Sequence, residues 1–175
     1  RYRLLWGTFI VTALVVYFTQ FLPYSYTVNS SIYAGVTNAS SVTNEGFNLF
    51  SVNSTFDNLI NIAKSKGTLE KVSVRLLATC LVYGDEYKDN HYILAKHYRQ
   101  LLQTVPKEVI ALIDRNSVEK TTENLIKYRK PSRTNFVFTA FSHPRNPFFS
   151  YNALNKINVK RLGNSDLIDI NYTSV

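Results

Sequence analysis

Methionine is absent from these 175 residues, cysteine and tryptophan occur once each, and no Asp, Glu, Lys or Arg falls between Arg3 and Glu45. Without a methionine, Arg1 is expected to be an internal residue of a longer chain. The lone cysteine, Cys80 in the stretch LLATCLV, excludes an intramolecular disulfide framework, and its expected role is that of a small buried hydrophobe. Gly-x-Ser-x-Gly, Gly-x-Gly-x-x-Gly and Gly-x-x-x-x-Gly-Lys are all missing, so neither a hydrolase elbow nor a nucleotide-binding loop is legible. Of the three histidines, His91 and His97 are six positions apart, a poor spacing for joint ligation on one helix face, and no cysteine pair completes a zinc set. Asp166 and Asp169 read as a turn former and an outward charge on a strand, not as a catalytic pair. No catalytic, metal or cofactor residue is assigned.

The charge that is present leans basic. Lys and Arg total 20 against 12 Asp and Glu, a net charge of +8. Most of it is interspersed, and no zinc-finger spacing, RNA-binding signature or basic helix accompanies it, so nucleic acid is not an expected partner. One denser run exists, KYRKPSR, carrying Lys127, Arg129, Lys130 and Arg133. A solvated loop is the plain reading; contact with anionic polymer, lipid head groups or a neighbouring subunit is the sharper one.

Residues 4–22 form an uncharged run of 19 residues, about 28 Å if helical, close to the hydrocarbon thickness of a bilayer. A signal peptide would carry a shorter apolar region and small residues before a cleavage point, whereas FTQFLPYSY follows here. A transmembrane helix is therefore expected within residues 1–26. Arg1 and Arg3 put its start in the cytoplasm, Trp6, Phe21, Tyr24 and Tyr26 would sit at the interfaces, and Pro23 would end it. Residues 27–175 would then form a domain outside the cytoplasm.

That domain reads as α+β, helices with a small sheet. Residues 26–36 favour a strand, and residues 37–54, rich in Asn and Ser, an exposed connection. Thr55 is expected to cap a helix with Phe56, Leu59, Ile60 and Ala63 inward, ending at Gly67; Thr68 would cap the next, with Leu69, Val72, Leu76 and Cys80 inward. Leu94, Tyr98, Leu101 and Leu102 mark a third helix, Pro106 opens a fourth, and Ser117 caps a fifth with Leu125 and Tyr128 inward. INVKRLGNSDLIDINYTS predicts a hairpin with its loop at residues 163–166, Val159 opposite Ile170, Ile157 opposite Tyr172, Lys160 opposite Asp169 and Asn158 opposite Asn171.

The order of YTVNSSIYAGV, FDNLINIAKSKGTLEKVSVRLLA and NPFFSYNALNKINVKRLGNSDLIDINYTS behind an apolar leader resembles the polysaccharide chain-length determinant family. These polysaccharide co-polymerases are found in Bacteroidota capsule and exopolysaccharide loci. The resemblance implies a base domain lying periplasmic to a bacterial inner (cytoplasmic) membrane, with long helices and a second span further along the chain. It implies a ring-like homo-oligomer in the bilayer that influences polymer length or export, working with a polymerase or an outer-membrane exporter, without cofactor or catalysis. Two alternatives remain: the sensor or scaffold part of a membrane-anchored tyrosine autokinase of the same family, whose kinase would lie beyond residue 175, or an unrelated anchored adhesion or receptor domain.

Overall fold

The computed structural model describes residues 2–19, 26–35, 49–144, 146–163 and 165–174. Among them, eight helices and three strands follow one another as α1 (Tyr2–Thr19), β1 (Tyr26–Tyr33), α2 (Leu49–Lys64), α3 (Lys66–Tyr83), α4 (Ala95–Thr104), α5 (Lys107–Ile110), α6 (Val118–Tyr128), α7 (Phe136–Ser142), α8 (Tyr151–Leu154), β2 (Asn158–Arg161) and β3 (Leu167–Ser174). The mixed helix and sheet content agrees with the sequence. The transmembrane part does not.

The first helix holds 18 residues and takes in Tyr2 and Arg3 at its start. At 1.5 Å per residue it is about 27 Å long, with a charged end, against a hydrocarbon core of about 30 Å. Among the described residues no helix is long and apolar enough to cross a membrane. The structure therefore does not support the anchor expected within residues 1–26, and the inner-membrane placement with a periplasmic bulk falls with it. Phe21, Pro23 and Tyr24, on which the far end of that span rested, lie outside the described residues, as do residue 36 of the expected strand and residues 37–48 of the expected loop.

Alternation at period two sets the sheet. The order is β1-β3-β2 with both pairs antiparallel. The hairpin has the expected register, with Val159 opposite Ile170, Lys160 opposite Asp169 and Asn158 opposite Asn171, though Ile157 lies just before β2. Gly163, at φ 58, supplies the left-handed residue that the turn requires. One face carries Val28, Ile32, Val159, Ile168, Ile170 and Tyr172; the other carries Asp169, which accepts from Ser31 Oγ at 3.4 Å and Asn171 Nδ2 at 3.0 Å. β1 and β3 are paired along their whole length, Tyr26 opposite Ser174.

The helical layer is built around α3, which touches α2, α6, α7 and α8. Leu69, Val74, Leu77, Ala78, Cys80 and Leu81 of α3 are buried, each large aliphatic side chain contributing about 1.5–3 kcal/mol. Val72 and Leu76, expected inside, are 42% and 38% exposed, because the helix turns Val74 and Leu77 inward instead. Its cap is Ser65 and not Thr68: Ser65 Oγ accepts from Thr68 N at 3.3 Å, which places Gly67 inside the first turn. The preceding helix starts at Leu49, ahead of Thr55, since Leu49, Val52 and Phe56 continue the spacing of three and four backwards. Ser117 does cap α6, accepting from Lys120 N at 3.2 Å. Buried hydroxyls are satisfied, Ser73 Oγ donating to Phe149 O at 2.6 Å and Thr121 Oγ1 to Asp114 O at 3.1 Å.

Sheet and helices are joined through Arg161. Its guanidinium lies 4.0 Å from the ring centroid of buried Phe56, Nη1 donates to Asn53 Oδ1 at 2.7 Å, and Nε donates to Ser165 O at 2.8 Å.

Candidate functional site

The end of α6 and the turn into α7 place the basic run. Tyr128 is the last helical residue and Arg129 the cap, its N–H bonded to Leu125 O; Asn135 then starts α7, its Oδ1 accepting from Phe138 N at 3.1 Å while Nδ2 donates to Tyr128 O at 3.0 Å. Asn135 thus clamps the turn from both sides and holds residues 130–134 as an open arch.

The four basic residues do not act together. Lys127 and Lys130 line one polar cleft of about 710 Å³ with Glu108, Tyr128, Ser132, Thr134 and Asn135. Arg129 is pulled the other way, into an ion pair with Glu70 of α3 and over the Phe138 ring at 5.6 Å. Its side chain is 30% exposed and that of Glu70 20%. A planar guanidinium suits both contacts, whereas a lysine would lose the fork and the stacking. Arg133 is exposed and is not among the residues that line the cleft. The expected four-residue patch is therefore two lysines on a cleft, one structural arginine and one solvated arginine.

Across the cleft, Tyr128 Oη donates to Glu108 Oε2 at 2.8 Å. That bond, helped by partial desolvation and the carboxylate's charge, raises the phenol's pKa above its ordinary value. Ser132 and Thr134 hydroxyls lie 2.8 Å apart. Among the described residues neither Lys127 nor Lys130 has an ion-pair partner, so two ammonium groups and paired hydroxyls face the opening. Such a cleft can hold an anionic or hydroxyl-rich segment by charge and hydrogen bonding. Glu108 and Glu70 were not legible as participants, since each meets its partner across a gap between helices that no local spacing encodes. Cys80 is buried as expected, and burial lifts its thiol to about 11. Among the described residues no group of three His, Cys, Asp or Glu could hold a metal ion.

No protein-family model matches the chain, and no curated protein or solved structure does either.

Proposed function

We propose that this chain is a non-catalytic scaffold of polysaccharide assembly, of the chain-length-determinant kind, which works as a homo-oligomer beside a polymerase or exporter and influences polymer length. The observation that carries the reading is the full-length pairing of β1 with β3, Tyr26 opposite Ser174. It closes an α/β module in which the first residue of one strand and the last residue of the other lie side by side. Flanking segments joined there would leave the module together, as a base module within a longer assembly protein requires. The cleft carrying Lys127 and Lys130 supplies a surface that anionic polymer or a neighbouring subunit would fit.

The test is deletion of the gene, or its replacement by the Lys127→Glu/Lys130→Glu variant, followed by gel analysis of polysaccharide length. Native mass measurement of the purified full chain accompanies it. The expected result is an altered length distribution and an oligomeric mass. A monomer whose deletion leaves polymer length unchanged would overturn the reading.

A further inference from the structure

A second cavity, of about 290 Å³, opens between α3, α4 and the turn that precedes α8, and shares no residue with the lysine cleft. Its buried wall is apolar, Cys80 being only 5% exposed and Phe149 4%, with Leu101 and the partly exposed Leu76 beside them. Its mouth is aromatic. Phe148 is 51% exposed, with the His97 ring 5.5 Å away, and Tyr92 is held flat by stacking on Tyr83 at 4.7 Å and 17°.

Three features narrow the occupant. Among the described residues no Asp, Glu, Lys or Arg lines the cavity, so a charged ligand would lose its hydration without a counter-charge from them; a neutral ligand fits. The volume is at the lower end of the range for ligand pockets, about 300–1,000 Å³, and admits one ring with its substituents. Among the described residues no hydrogen bond engages the imidazoles of His91 or His97, both of which line the cavity, so donors and acceptors stand beside exposed ring faces. Ring faces with hydrogen-bonding groups beside them suit a ligand with an apolar face and a hydroxylated edge. The apolar floor adds room for a methyl group.

We infer that this cavity is a saccharide subsite. It takes one neutral pyranose ring, with its C–H face against Phe148, its hydroxyls toward His91 and His97, and an N-acetyl or 6-deoxy methyl group over Leu76, Cys80 and Leu101. This rests on the polysaccharide reading above and adds the ring chemistry that the polymer presents.

The imidazole C–H signals make the test direct, those of His91, His97 and His143 being assigned in the full-length protein by single His→Gln replacements. N,N′-diacetylchitobiose and rhamnose are the probes, cellobiose and glucuronate the controls, and phenol the aromatic competitor. At least one probe is expected to shift His91 and His97 but not His143, with cellobiose about tenfold weaker and glucuronate without effect. Phe148→Ala weakens binding about tenfold. Leu76→Trp, which fills the cavity from a partly exposed position, abolishes it; circular dichroism confirms that both variants fold. The inference is overturned by the absence of a shift with both probes, by equal shifts with glucuronate, by tighter binding of phenol, or by binding that survives in folded Leu76→Trp. Altered polymer length on gene deletion without any sugar-dependent shift removes this subsite and leaves the scaffold reading. A shift with unaltered polymer length does the reverse.

Discussion

Arg129 and Lys130 are neighbours in sequence and opposites in role. The arginine's partner, Glu70, is partly withdrawn from water, so removing the arginine strands a carboxylate between helices. Arg129→Ala is expected to cost about 1–2 kcal/mol in urea denaturation, reduced from the fully buried case by the remaining exposure, whereas Lys130→Ala stays within about 0.5 kcal/mol. Equal effects of the two would contradict the division of the basic run. The run itself was legible in the sequence, but its division was not, because Glu70 comes from a different helix. Cys80 was legible from its apolar neighbours alone, and its burial has a pH consequence. With the folded thiol at about 11 and the unfolded one near 9, the folded chain holds the proton more tightly. That stability is fully present below pH about 9 and is lost as pH rises through about 11, on the order of 2–3 kcal/mol across the window. Tyr128, raised by Glu108, titrates in the same direction, so the comparison of wild type with Cys80→Val isolates the thiol. The variant should show a shallower fall in denaturation midpoint above pH about 9.

At the scale of elements, the hairpin was the best-read part of the chain, since a slip of one residue would have set Lys160 opposite an apolar residue of β3 and mixed the two faces. Helix starts were read less well where two capping residues compete. Ser65 and Thr68 are both suitable, and only the geometry shows that Ser65 Oγ takes the Thr68 N–H while also donating to Thr68 Oγ1 at 3.0 Å. Ser65→Ala is expected to cost about 1 kcal/mol, and Thr68→Ala less, by thermal denaturation. The short helices α7 and α8 escaped notice because seven and four residues carry too little periodicity to register. The junction of α3 and α4 depends on a missing side chain. A Cβ on Gly84 would run into the Tyr98 ring and the Cys80 carbonyl, and Tyr98 is 1% exposed and hydrogen-bonded to Arg115 Nη2 at 3.0 Å, so it cannot give way. Gly84→Ala should therefore destabilise by about 2 kcal/mol or more, although the backbone there, at φ −61, suits alanine. A neutral result would mean that Tyr98 is free to move.

For the whole molecule, the apolar leader dominated the sequence and misled it: its composition resembles a span, but the helix takes in Arg3 and falls short of one. Contacts between copies have to offset the cost of association, which makes the native mass a demanding test of the scaffold reading. What organises the chain instead is the sheet, and its long-range pair was not legible, because nothing local in residues 26–33 names a partner 146 positions away. Thr27 Oγ1 and Thr173 Oγ1 lie 3.2 Å apart across β1 and β3, so the two side chains face one another at a separation that a disulfide can bridge. Oxidised Thr27→Cys/Thr173→Cys protein should form this bond within one chain, Cys80 staying reduced because it is buried. Closing so long a loop restricts the unfolded chain enough to stabilise by about 4–5 kcal/mol, roughly 10 °C in Tm, reversed by reductant. A disulfide-linked dimer would show that β1 pairs with another copy's β3, and failure to form any disulfide would contradict the register itself. Either result would remove the closed module on which the proposed scaffold rests, because flanking segments leave side by side only if both strands belong to the same chain.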